Sequence, residues 1–126
     1  MEYLEVIFFV LGALLISCSD YTKPLPNGYE LERTNASTIF IFAPEVDYRR
    51  DIIVPPKIVS WGQVKNVVFG EVVDSPNSSL TSVDSVPGYF ILNTKNATVV
   101  LGLSEEEWLA ELEKLGIKDP KLKHTG

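Results

Sequence analysis

Three carboxylates, Glu45, Asp47 and Asp51, stand close together around Tyr48, Arg49 and Arg50 in PEVDYRRD (44–51). Paired carboxylates can work as a general acid and base, and a carboxylate cluster can also hold a hard cation. The same pattern describes a solvated loop laced with weak ion pairs. The absence of a supporting polar constellation favours that plainer reading. Asp74 and Asp84 bracket a serine-rich loop without the spacing of a calcium loop. A serine or cysteine nucleophile needs a neighbouring base, and His124, the one histidine, lies in the terminal stretch KLKHTG. No G-x-S-x-G, phosphate-binding glycine loop or H-E-x-x-H occurs, and no Cys/His spacing suits zinc. The expectation is therefore no catalytic residue, no metal and no cofactor. Of the two tryptophans, Trp108 falls on a helical apolar stripe and reads as core. Trp61 sits beside Gly62 at a strand end, where an aromatic is either core or a recognition anchor.

Charge narrows the partners. The chain has 126 residues and a formal net charge of −6. Such a surface repels nucleic-acid phosphates and anionic lipid headgroups, and no basic stripe offsets it. At 45% hydrophobic residues the chain is globular rather than disordered, with length for one domain and one modest core.

Cys18, the one cysteine, stands where an apolar run stops. Val6 to Ile16 reads VIFFVLGALLI. That is too short for a bilayer-spanning helix, which needs about 20 residues, and matches the hydrophobic region of a secretory signal. Leu15-Ile16-Ser17-Cys18 resembles the lipobox of bacterial lipoproteins. The resemblance implies a signal peptide over 1–17, diacylglycerol on Cys18, cleavage after Ser17 and an acylated new amine. Two or more acyl chains anchor stably where one does so marginally. Ser19 after the cysteine implies, in a two-membrane host, an outer-membrane protein facing the periplasm. The leader MEYLE departs from the pattern, because it carries Glu2 and Glu5 and no base. The rival is a eukaryotic secreted chain, for which Asn35, Asn77 and Asn96 would be glycosylation sites. A buried or incidental cysteine is the other alternative.

The remainder must hold these groups in place. SDYTKPLPNG (19–28) reads as an extended tether ending in a turn, so 18–28 is expected to be lipidated cysteine and tether. Strand signals follow in GYELERT, STIFIFA (37–43), DIIV before Pro55-Pro56, KIVSW (57–61), KNVVFGEVV (65–73), GYFILN (88–93) and ATVVL (97–101). Gly62 looks like a break, and the two prolines must end a strand or lie on an edge. DSPNSSLTSVDSVPG (74–88) reads as a long polar loop. Ser104 to Glu107 is a capping box. Trp108, Leu109, Leu112 and Leu115 form a helical stripe, Gly116 a left-handed cap, and Ile117 can fold back. The expected fold is α+β, mostly β: a small antiparallel sheet of five to seven strands with one C-terminal helix packed on it. One globular domain is expected over 29–117 and a flexible tail over 118–126.

NGYELERTNASTIFIF, IIVPPKIVSW, GYFILNTK and LGLSEEEWLAELEKLGI together resemble a domain-of-unknown-function family of small bacterial lipoproteins. That resemblance supports the cell-envelope location and implies no chemistry. The leading expectation is a lipid-anchored, non-enzymatic protein-binding module of inhibitor or immunity type. It would attach to the membrane through Cys18 and meet a protein partner through Glu45, Asp47, Asp51 and Trp61. The alternatives are a structural envelope lipoprotein without a tight partner, and a carboxylate-dependent hydrolase.

Overall fold

The computed structural model describes residues 20–76, 78 and 84–125, so the leader, Cys18 and Asn77 lie outside the described residues. The chain is mostly β, with every strand pair antiparallel and one helix near the C-terminus. The strands divide between two sheets. β1 (Tyr21–Pro24), β2 (Glu30–Asn35), β3 (Thr38–Phe42) and β4 (Ile52–Val54) follow one another in a four-stranded sheet. β5 (Ile58–Val64), β6 (Val67–Val72), β7 (Gly88–Asn93), β8 (Thr98–Leu103) and β9 (Lys123–His124) form the second, in the order β8-β7-β6-β5-β9. Pro55-Pro56 mark the passage between sheets. β4 can precede them because it is an edge strand, where a missing amide donor costs no ladder bond.

Strand periodicity explains the layering. On β6, Val68 and Val72 join Leu31, Ile39, Ile41 and Val54 of the first sheet in one buried core. The alternate residue Phe69 points the other way, to Trp108, Leu112 and Ile117. β7 divides likewise, Phe90 and Leu92 to one side and Ile91 to the other. Sheet, sheet and helix thus stack as three layers, and the middle strands are apolar on both faces because both are covered.

The helix α1 (Glu105–Lys114) has both halves of its capping box. Ser104 Oγ accepts from the Glu107 amide at 3.1 Å, and Glu107 Oε1 accepts from the Ser104 amide at 3.0 Å. At the other end the Ile117 amide donates to Leu112 O and the Gly116 amide to Glu113 O, with Gly116 at φ 83°. This is the double bond of a Schellman cap, and Gly116 supplies the left-handed residue without a Cβ penalty. The stripe is narrower than its spacing suggests. Trp108 and Leu112 are buried, whereas Leu109 and Leu115 are exposed. One flat sheet face covers only one flank of a helix.

The backbone and then the side-chain hydrogen bond of Ser104 hold the Glu107 carboxyl below its ordinary value of 4.5. A carboxyl lowered on folding stabilises above its ordinary pKa, and that stabilisation is lost as pH falls through the lowered value. Ser104→Ala is expected to cost about 1 kcal/mol at neutral pH. The cost should shrink below pH 4.5, which urea titrations at two pH values would read.

Three local expectations are corrected. The stretch read as a tether is, from Tyr21, a strand paired with β2 in the register Tyr21↔Arg33 to Pro24↔Glu30. Leu25 and Tyr29 are buried in the core, so the folded part begins well before residue 29. The tail read as flexible over 118–126 returns to the second sheet: Ser60 pairs with His124 and Trp61 with Lys123. Thr125 is buried, its hydroxyl donating to Ile58 O at 2.7 Å and its amide to Val59 O at 3.1 Å. Gly62 lies inside β5 rather than at a break. A Cβ there would overlap the Lys121 carbonyl and crowd the Phe69 ring, so glycine is what lets the returning chain pass close.

Candidate functional site

The carboxylate cluster of 44–51 proves to be a small projecting hairpin between β3 and β4. Val46 and Arg49 exchange two backbone hydrogen bonds, at 2.8 and 2.9 Å. The two residues between them, Asp47 and Tyr48, both have positive φ, 51° and 62°. A two-residue turn with both residues left-handed matches the right-handed twist of its flanking strands. Asp is a usual occupant of such a turn, and Tyr is not, because a bulky residue at positive φ is strained.

The base of the hairpin is fixed. The Ala43 amide donates to Asp51 O at 2.8 Å. The Arg50 guanidinium lies 4.8 Å over the Phe42 ring, donates to Ala43 O at 3.3 Å and pairs with Glu30 at 3.4 Å. Its tip makes no such contacts. Tyr48 is 98% exposed and Val46 66% exposed, and no hydrogen bond or ring contact engages the Tyr48 side chain among the described residues. Between the tip and Tyr29, Ala43 and Pro44 runs an open groove of about 430 Å³.

Glu45, Asp47 and Asp51 therefore share one hairpin, and all three are exposed. Asp51 meets Arg49 at 3.3 Å in a solvated ion pair, an interaction worth about 0–1 kcal/mol. Nothing here desolvates a carboxylate or sets two against each other, which are the arrangements that make an acid and a base. Among the described residues no cluster of three potential metal ligands forms.

Trp61 is placed elsewhere, on β5 of the second sheet. It packs half-buried against the core, with the Lys123 ammonium 5.4 Å from its ring centroid. Trp108 is core, as its spacing implies: 3% exposed, with Nε1 donating to Phe90 O at 3.1 Å. Beside it the Tyr89 hydroxyl is pushed above its ordinary pKa, first by burial and then by Glu71 and Glu105. The residue that sequence reasoning missed is Tyr48. Its exposure depends on a turn conformation that Asp-Tyr does not announce.

The geometry defines a class: a small β-sandwich with one helix packed on it, carrying an aromatic-tipped hairpin. Residues 26–125 match the family model described as "Protein of unknown function (DUF3997)", and the chain belongs to that family. No curated protein and no solved structure matches it. Among the described residues no helix is long and apolar enough to cross a membrane.

Proposed function

We propose that this protein is a lipid-anchored envelope lipoprotein, held by Cys18, that binds another protein through the 44–51 hairpin. The observation that carries the binding is Tyr48. A wholly exposed aromatic in a strained left-handed conformation lowers stability, so its presence points to a use outside the fold. Rigid aromatics on fixed turns make effective interface anchors, since little side-chain freedom is lost on docking. Glu45 and Asp47 beside it suit a partner with an apolar slot rimmed by cationic groups, as in the cleft of a toxin or hydrolase that an inhibitor or immunity protein would block. The anchor rests on the lipobox sequence Leu15-Ile16-Ser17-Cys18.

A photo-crosslinking side chain at position 48, in the native host, tests the reading. It should trap one protein that a probe at Lys95, in the turn between β7 and β8, does not. Equal yields from both positions would sink the hairpin's role. A second prediction separates stability from binding. Tyr48→Gly removes the left-handed strain and should raise stability by about 1 kcal/mol in urea unfolding. The same change should weaken the partner by roughly thirtyfold or more, as loss of a hot-spot residue does. A variant that is destabilised, or that binds unchanged, would contradict the proposal.

A further inference from the structure

One concavity on this acidic chain is lined by two basic side chains and the histidine. Arg33 from β2, Lys57 ahead of β5 and His124 from β9 meet there, with Ala36, Val59 and Thr125 completing the wall. The space is about 280 Å³. At about 30 Å³ per water it holds a group of several heavy atoms rather than a lone solvent molecule. No carboxylate lines it. The chain has 17 acidic residues against 11 Lys and Arg, and this wall brings together Arg33, Lys57 and the one histidine with no acid among them.

The fold holds the pocket in place. Arg33 sits on β2 opposite Tyr21, where the β2–β3 register shifts between Arg33 and Asn35. His124 is fixed by the β5–β9 pairing, and Thr125 by its two bonds to Ile58 and Val59. The Tyr21 hydroxyl donates to Thr125 O at 3.1 Å, tying the first strand to the last beside the pocket. Arg33 pairs with Asp20 at 3.4 Å through Nη1, while its buried Nε has no hydrogen-bond partner. Lys57 and His124 have no ion-pair partner among the described residues.

We propose that the pocket of Arg33, Lys57 and His124 binds a phosphate group. Arg33 and Lys57 on the wall of one concavity carry the guanidinium and ammonium whose charge-assisted donors a phosphate oxygen accepts from. The phosphate has two possible sources, a membrane lipid headgroup or a soluble phosphate compound. The lipid source rests on the anchor proposed above. Asp20, next to Arg33, is two residues from Cys18, and two extended residues span only about 7 Å. An acylated Cys18 would hold this pocket against the headgroups.

The test uses the full chain carrying Cys18→Ser, so that no acyl group contributes. Inorganic phosphate is titrated against chloride at matched ionic strength while the Arg33 Nε–H and the 124–125 amides are followed by NMR. The proposal expects saturable shifts there, weakened about tenfold by Lys57→Gln and by Arg33→Gln. Lys114→Gln, on the helix, should leave them unchanged. The second arm compares phosphatidylcholine vesicles with vesicles that also contain phosphatidylglycerol. Phosphate shifts together with a Lys57-dependent preference for the anionic vesicles assign the lipid source. Phosphate shifts without that preference assign a soluble one. No saturable shift, or shifts equal in Lys57→Gln, overturn the site. Since both arms use an unacylated chain, failure here leaves the anchor standing, and the converse also holds.

Discussion

Trp108→Ala is expected to destabilise the protein by about 4 kcal/mol, near the upper end for truncating a buried aromatic. Trp108 is the contact through which the helix holds the second sheet. Its ring meets Phe69 edge-on at 6.0 Å and Tyr89 at 4.6 Å, and its Nε1–H satisfies Phe90 O. Truncation opens a cavity among Phe69, Ile91 and Leu112 and leaves a buried carbonyl without its donor. Helix α1 has only ten residues and would not persist alone. Urea unfolding followed by far-ultraviolet circular dichroism and by Tyr fluorescence should show both signals lost together at a much lower midpoint. A fall below about 1 kcal/mol would mean the helix is not held through this residue.

Gly70→Ala should cost about 3 kcal/mol, although it adds only one methyl group. Gly70 lies on β6 opposite Trp61, next to the register shift between Ile58 and Ser60 on β5. A Cβ there would overlap the Ser60 carbonyl oxygen and stand 2.9 Å from both Phe90 Cε1 and Trp61 Cα. Two of those three atoms are backbone, so relief requires the strands to part rather than a side chain to turn. β5 also carries β9, so the change should loosen the C-terminal strand. Faster amide exchange at Thr125, alongside the lowered unfolding midpoint, would report that coupling. Unchanged exchange and stability would show that the sheet accommodates the methyl group.

The elements that sequence made legible are those specified by local chemistry. Ser104 and Glu107 satisfy each other's amides whatever packs around them, so the start of the helix could be read from four residues. Gly116 marked its end for the same reason. The strands β7 and β8 were legible in GYFILN and ATVVL, which are rich in β-branched and aromatic residues. What could not be read depends on partners far along the chain. Nothing in KLKHTG shows that Lys123 and His124 will meet β5, because that pairing needs Gly62 to admit the Lys121 carbonyl. Likewise the division into two sheets depends on which face of Val67–Val72 each neighbour covers, and VVFGEV is apolar enough to allow either.

The candidate site shows the same split. The cluster Glu45, Asp47 and Asp51 was visible as a run of charge, and the structure keeps it solvated on one hairpin. Trp61, read as core or anchor by its place beside Gly62, lies half-buried against the core with the Lys123 ammonium near its ring. Tyr48 escaped notice because its importance lies in backbone conformation rather than residue type. The cationic pocket escaped because Arg33, Lys57 and His124 are far apart in sequence and come together only when the first and last strands close over β5.

Location bears on both proposed surfaces, since a domain hung from Cys18 would meet its partner at a membrane and hold the pocket near headgroups. The most direct measurement is the intact mass of the protein extracted from membranes of its native host, beside a Cys18→Ala form. The account predicts a chain that begins at Cys18 and carries diacylglycerol, with the added mass lost in the variant. An unmodified chain, or one cut elsewhere, would contradict it.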